Sequence, residues 1–269
     1  MSVRGTSQTQ TGRPFRRMRK LARRWQQRVA IGLGLAPAPA DRGYMICATS
    51  RSGSTYLAQL LGSTGALGNP REYFNTNGCR RRIDPAYPAG RRAQLTVIRT
   101  RGATGNGIYG VKVIGPQLQE LGGRIDPFRD LPNLSLVMLH RRDLLDQAIS
   151  LARARQTGQY IATDRQRAAP AYDAQAIRQG LASILAQKSI WDAALAPLGL
   201  RPLSIAYEDV LANPQAAVDR IALLMGLALP VPIDRGLVTQ QVQRDAQSTA
   251  WRERFLAETG DEFRHLAGG

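Results

Sequence analysis

Residues 44–55 read Tyr-Met-Ile-Cys-Ala-Thr-Ser-Arg-Ser-Gly-Ser-Thr, and residues 69–74 read Asn-Pro-Arg-Glu-Tyr-Phe. The apolar run 44–48 reads as a buried strand. A tight Ser/Gly loop follows, and then a helix that opens near Ser54 and carries Leu57, Leu60 and Leu61. The amides of such a loop, with the open first turn of the helix behind it, form a cradle for an anion. Laid on the pattern G-x-x-x-x-G-K-[ST], residues 48–55 keep Gly53 and Thr55 but put Ala48 at the first glycine and Ser54 at the lysine. A nucleoside triphosphatase without that lysine loses a contact to the terminal phosphates. The cradle therefore suits an anion other than the γ-phosphate of ATP or GTP.

Outward from this stretch, strand and helix signals alternate. Short apolar or β-branched runs predict strands at 44–48, 108–113, 134–140 and 203–207. Helices are expected at 54–63, 88–100, 144–158, 174–197, 214–226 and 246–259. The expectation is an α/β domain whose largely parallel central sheet is flanked by helices, with ligands at the carboxyl ends of the strands. Residues 76–106, rich in Arg, Gly, Pro and Thr, form the least regular stretch and a candidate lid or acceptor-facing loop.

The chain has 269 residues and a formal net charge of +17. Its length suits one core with appendages. Residues 1–43 hold ten basic side chains against Asp41 and contribute +9, which leaves +8 for residues 44–269. This divides the chain into a basic N-terminal segment with linker (1–43) and a main domain (44–269). Within the segment, Phe15, Met18, Leu21, Trp25 and Val29 recur every three or four positions, and arginines and Lys20 fill the other faces. Residues 15–29 thus read as a basic amphipathic helix for an anionic membrane surface. A solvated basic tail and a signal peptide with its apolar run at 29–35 are the other readings, the last disfavoured by a long polar lead and a glycine-broken run. No stretch reaches the ~18 apolar residues of a spanning helix. Cys47 and Cys79 give no disulfide framework and suit a reducing compartment, so the expected location is the cytoplasm, with peripheral contact on the inner membrane face.

Residues 48–55 with Asn-Pro-Arg-Glu72-Tyr-Phe resemble the corresponding loops of the bacterial trehalose 2-sulfotransferase family. The resemblance continues in order through Gly107-Ile-Tyr-Gly-Val-Lys112, residues 140–150 (His-Arg-Arg-Asp-Leu-Leu-Asp-Gln-Ala-Ile-Ser) and residues 243–251 (Gln-Arg-Asp-Ala-Gln-Ser-Thr-Ala-Trp). It implies a P-loop sulfotransferase-like fold and transfer of the sulfonate of 3'-phosphoadenosine 5'-phosphosulfate to a hydroxyl of a carbohydrate or glycolipid. It also raises a homodimer. The amides of Ser52, Gly53, Ser54 and Thr55 and the hydroxyls of Ser54 and Thr55 suit the donor's 5'-phosphate. Arg51 stands where related loops carry a basic residue that could neutralise the bridging oxygen. Lys112 is a second cation for the sulfonate region. The family's catalytic glutamate falls on Glu72, and a carboxylate there can take the acceptor's proton. His140 and His265 are the imidazoles that could replace it. The match sets Arg141 and Ser150 on the 3'-phosphate, with Arg142 as the alternative arginine. Asp143 reads as a helix N-cap. A sulfonate carries less charge than a γ-phosphate, so no metal is expected, and the sequence shows no metal-ligand cluster.

Two departures bear on the acceptor. Asn69 stands where the family often carries an acid three residues before the base, and Gly115 where it often carries Trp, at positions expected to face the sugar. Arg244 is displaced from the family's usual spacing. Two other classes share some of these features. An ATP-dependent small-molecule kinase conflicts with Ser54 in place of lysine. A nucleic-acid-binding protein is suggested by the charge, but half of that charge lies in the tail and no recognition motif appears, so no specific nucleic acid is expected.

Overall fold

The computed structural model describes residues 38–76, 80–122, 125–160, 168–240 and 246–260. The amphipathic segment 15–29, Cys79, Arg244 and His265 lie outside them. Four strands form one parallel sheet: β1 (Arg42–Ala48), β2 (Ile108–Ile114), β3 (Leu134–His140) and β4 (Leu203–Ala206), in the order β2-β1-β3-β4. Helix α1 (Ser54–Ser63) follows β1, α2 (Arg91–Arg101) precedes β2, and α3 (Gly115–Leu121) follows it. Helix α4 (Leu144–Thr157) follows β3, and the long α5 (Ala174–Leu195) leads to β4. Helices α6 (Tyr207–Ala212), α7 (Pro214–Leu224) and α8 (Ala246–Thr259) follow β4. The fold is the expected α/β class. No helix among the described residues is long and apolar enough to cross a membrane.

The period of two along β1 sorts its side chains onto two cores. Tyr44, Ile46 and Ala48 pack with Leu57, Leu60 and Leu61 of α1 and with Val218 and Ile221 of α7. Met45 and Cys47 face the other way, against Val111 and Val113 of β2, Ile98 of α2 and Trp191 of α5. Both faces of the sheet are therefore covered, which is why β1 reads as a continuous apolar run. A third cluster joins Ala148, Ile149 and Leu151 of α4 to Ile177 and Ile184 of α5 and to Trp251 and Phe255 of α8. Each fully buried Leu or Ile adds about 1.5–3 kcal/mol of burial free energy.

Helices α3 and α6, and the short turns Arg81–Ile83 and Pro127–Asp130, were not anticipated. Gly115-Pro116 looks like a break after β2, yet a proline in the first turn is pre-set for a helix and has no N–H to leave unsatisfied, so α3 starts there. The strand expected through 207 ends at Ala206, because Tyr207 opens α6. The expected helix at 88–100 is α2, which begins at Arg91.

The topology gathers the carboxyl ends of β1, β2 and β3 around one crevice, because the chain leaves β1 for β2 on one side and returns to β3 on the other. Arg71 bridges in parallel to Val111, and its carbonyl accepts from the Lys112 N–H at 3.0 Å. The 69–72 segment is thereby fixed along the edge of β2. Gly115 is buried at the start of α3, and a Cβ there would stand 2.9 Å from the Gln187 carbonyl oxygen of α5. It serves the α3–α5 contact and has no room for a side chain. Gly115→Ala is expected to lower Tm by several degrees, since overpacking costs about 1–3 kcal/mol and a domain of this size loses about 2–4 °C per kcal/mol. An unchanged Tm in calorimetry would show that α3 and α5 separate without cost.

Candidate functional site

The loop between β1 and α1 turns through two left-handed residues, Arg51 (φ 62°) and Gly53 (φ 84°). Glycine is required at the second on two counts. The backbone is left-handed, and a Cβ would strike the Tyr207 ring. Helix α1 has no side-chain cap and no acid in its first turn, so its opening amides face the loop's concavity with their positive dipole end unopposed. Buried polar side chains from two other helices hold the loop from behind. Gln147 of α4 donates to Thr49 Oγ1 (2.8 Å) and to the Ser50 carbonyl (2.7 Å). Gln187 of α5 accepts from the Ser50 N–H (2.8 Å), and the Trp191 indole donates to the Ala48 carbonyl (2.8 Å).

In front of the loop lies a cavity of about 170 Å³. Its lining includes Arg51, Gly53, Ser54, Thr55, Glu72, Lys112, Arg141 and Ser150, so of the residues first assigned to the base, the cations and the donor, Ser52 is the one that does not line it. Ser52 is fully buried beneath the loop, and its hydroxyl has no hydrogen-bond partner. Its N–H donates to the Thr49 carbonyl at 3.3 Å, so Ser52 shapes the turn and the cradle's open amides begin at Gly53.

Lys112 links the two sides of this cavity. Its buried ammonium lies 2.9 Å from Glu72 Oε1 and donates to Thr55 Oγ1 at 3.0 Å. Glu72 Oε2 accepts from Asn75 Nδ2 (2.7 Å) and Gln117 Nε2 (2.8 Å). Burial acts to raise the Glu72 carboxyl, but the Lys112 charge and the hydrogen bonds from Asn75, Lys112 and Gln117 outweigh it and bring it down from 4.5 to about 2.

The other side is rich in arginine. Arg51 donates through Nε to Ser150 Oγ at 2.9 Å and through Nη1 to the Tyr160 carbonyl. Arg51 therefore groups with Ser150 and Arg141, while Lys112 is the cation between the cradle and Glu72. Burial, and then the nearby positive charge of Arg141, press the Arg51 guanidinium below its ordinary value. Arg141 has a nearly buried side chain 5.3 Å above the Tyr207 ring and a long contact of 3.5 Å to Asp146. Its Nε is buried without a hydrogen-bond partner. Arg142 turns outward into a two-point pair with Asp209 (2.8 and 2.7 Å). Of the two neighbouring arginines, Arg141 lines the cavity. Asp143 caps α4 by accepting from the Asp146 N–H at 2.9 Å, and Arg252 of α8 donates to both acids. Helix α8 also brings Ser248 to the cavity wall, where Arg153 donates to it. The cavity is lined by Arg51, Lys112 and Arg141 against Glu72 and Asp146, and this positive excess beside a concave amide loop is suited to hold a compact polyanion.

Some positions fall elsewhere. Asn69 lines a separate cavity of about 220 Å³ with Arg71, Tyr73 and Arg101, and Gly115 packs on α5, so neither departure from the family pattern lines the Glu72 cavity. His140 is exposed, 3.4 Å from Ser204. Gln117, Asn75 and Gln187 were missed in sequence, because a lone amide in a polar loop or on a helix carries no motif. Tyr207 was missed because it sat in an expected strand.

The Stf0 sulphotransferase family model matches residues 43–258. A trehalose 2-sulfotransferase of Mycobacterium tuberculosis is 28% identical, covering 81% of this chain and 96% of the relative. One from Mycolicibacterium smegmatis is also 28% identical, covering 79% and 93%. A crystal structure of a sulfotransferase from Alicyclobacillus acidocaldarius aligns with a TM-score of 0.49 at 12% identity, covering 84% of this chain and 96% of that one.

The depressed Glu72 carboxyl carries a stability consequence. Its folded value lies below the ordinary one, so its contribution is complete above pH 4.5 and is lost as the pH falls toward about 2. At about 1.4 kcal/mol per unit, the effect is on the order of 3–4 kcal/mol. In urea unfolding at a series of pH values, the stability gap between the wild type and Glu72→Gln should shrink over that window. Parallel curves would show that Glu72 ionises in the fold as it does in the unfolded chain.

Proposed function

This chain belongs to the Stf0 sulphotransferase family, and on that premise we propose that it moves the sulfonate of 3'-phosphoadenosine 5'-phosphosulfate to a hydroxyl of a carbohydrate or glycolipid, with Glu72 as general base. The observation that carries this reading is the Lys112 bridge, which joins the anion cradle at Thr55 to a buried carboxylate at Glu72. A donor phosphate on the cradle and an acceptor hydroxyl at Glu72 would then meet on either side of one ammonium.

The donor's 5'-phosphate would take the amides of Gly53, Ser54 and Thr55 and the hydroxyls of Ser54 and Thr55. Its 3'-phosphate would take Arg141, with Ser150 and Arg51 beside it. The unsatisfied Arg141 Nε supports this fit. In the reaction the acceptor oxygen forms a bond to sulfur as the bond from sulfur to the bridging oxygen breaks. The acceptor's proton goes to Glu72, and negative charge grows on the leaving phosphate, where Lys112 can neutralise it. Trehalose, the substrate after which the two mycobacterial relatives are named, is the first acceptor to try.

The test is transfer from radiolabelled donor into a cell extract separated into lipids, polysaccharides and small sugars, with trehalose as a defined arm. Label entering one fraction is expected, and Glu72→Gln should lower that transfer by about 100-fold or more, the scale of general-base loss. Transfer that survives in Glu72→Gln would remove Glu72 from the mechanism. Arg141→Ala and Ser150→Ala should each weaken adenosine 3',5'-bisphosphate by about 10- to 150-fold, the effect of a lost charge-assisted hydrogen bond, and adenosine monophosphate far less. Equal weakening of both nucleotides would take the 3'-phosphate away from that side chain.

A further inference from the structure

The two oxygens of Glu72 keep different company. Oε2 accepts from Asn75 and from Gln117, at 2.7 and 2.8 Å, which occupies both of its lone-pair directions. Oε1 meets the Lys112 ammonium at 2.9 Å. The Gln117 amide is itself oriented: its oxygen accepts from the Ile114 N–H at 3.2 Å, so its NH2 is the end turned to Glu72. Gln117 is 8% exposed, and β2's end grips it on one side and the carboxylate on the other. Asn75 comes from the same loop as Glu72, three residues on, and its backbone N–H also donates to the Glu72 carbonyl at 3.1 Å.

We propose that Asn75 and Gln117 are positioning residues that close Oε2, that Oε1 is the oxygen that takes the acceptor's proton, and that Lys112 restrains Oε1 until the charge of a bound donor draws the ammonium away. The proposal rests on the reading of Glu72 as base and of the cavity as the donor site. A carboxylate bonded to an ammonium is ionised but binds a proton weakly, and general-base catalysis favours a proton affinity closer to the working pH. The Lys112 ammonium already has its second contact at Thr55, 3.0 Å away on the cradle, so a small movement carries it to an anion held there. Once it leaves, burial acts on Glu72 with less opposition and its proton affinity rises. Among the described residues the charged neighbours are few. Lys112 of β2 touches Glu72, while Asn75 and Gln117 are neutral. Arg51, Arg141 and Asp146 line the same cavity, and Asp146 is paired with Arg252. The consequence is an ordered activation, in which the base is armed after the donor is in place.

The test follows the Glu72 carboxyl directly, by carbon NMR of the full chain labelled at its glutamate δ-carbons, with Glu72→Gln assigning the signal. The probe is adenosine 3',5'-bisphosphate, whose binding is measured by calorimetry in the same samples. In the free protein Glu72 should stay ionised down to the lowest pH at which the chain is folded. With the bisphosphate bound, its midpoint should rise by a unit or more. In Lys112→Met the midpoint should be high already, and the nucleotide should add nothing. In the Lys112→Met background, where the midpoint lies within the folded range, Asn75→Ala and Gln117→Leu should each raise it by about one unit, the effect of a lost hydrogen bond to a charged group. Asn75→Ala leaves the Gln117 contact to Ile114 untouched and so decides the point even if Gln117→Leu unfolds. Bound nucleotide with no rise in the wild type, or an equal rise in Lys112→Met, overturns the restraint by Lys112. An unchanged midpoint on adding Asn75→Ala to Lys112→Met overturns the positioning role. Failure of the nucleotide to bind removes the donor reading and the restraint together, while the Asn75 and Gln117 shifts still decide the positioning.

Discussion

The buried pair of Lys112 and Glu72, closed at 2.9 Å and tied to Thr55, is the contact on which the arrangement of the site depends. Taking an ammonium and a carboxylate out of water costs several kcal/mol each, and their attraction offsets this only when further hydrogen bonds serve their remaining valences. Asn75, Gln117 and Thr55 supply those bonds. A pair so enclosed is a poor source of stability but a strict specification of place. It fixes the distance between the first turn of α1 and the 69–72 segment, two parts of the chain that the sheet alone would leave independent.

Backbone geometry makes that specification achievable. The parallel bridge of Arg71 to Val111 and the bond from the Lys112 N–H to the Arg71 carbonyl set Glu72 beside the strand that carries its partner. On the opposite side of β2, the register Ile46↔Lys112 sets Lys112 beside β1, two residues before its end at Ala48. The loop that follows β1 cannot drift, because Gln147, Gln187 and Trp191 bond its backbone from α4 and α5. These three buried donors and acceptors replace water at a loop that would otherwise leave its polar groups unpaired. The rigid support lies behind the cradle and the ionic contact in front of it.

Much of this was legible in the chain. Residues 44–55 announce strand, loop and helix because each uses a different local rule: an apolar run, a glycine at a left-handed turn, and leucines at helical spacing. Glu72, Lys112, Arg141 and Ser150 could be named because they sit in motifs, and the cavity draws them together. The pairings between them were not legible. Nothing in the spacing of Arg51 says that it turns to Ser150, or that Arg142 turns outward to Asp209, since neighbouring arginines differ only in which face of the strand end they meet. Gln117 was hidden by Gly115-Pro116, which mimics a loop, and Asn69 and Gly115 were given to the acceptor on their place in a motif, although packing directs both away from Glu72.

The choice of cation on each side of the cavity has a physical reason. Arginine keeps its charge under burial and offers a flat fork, so it suits a place where an anion is held and recognised. Arg51 and Arg141 occupy that side, and Arg141 is further fixed over the Tyr207 ring. That same ring is what a Cβ at Gly53 would strike, so one tyrosine sets both the arginine and the turn of the cradle. Lysine is a point charge on a flexible stem, able to exchange one partner for another with little reorientation. Its place is the side where charge must move. The loop lacks the lysine of a nucleotide triphosphatase at Ser54, and Lys112 of β2 brings an ammonium to Thr55 instead. Delivered from the strand, that cation arrives already paired with the carboxylate, which a lysine within the loop itself would have no built-in reason to do.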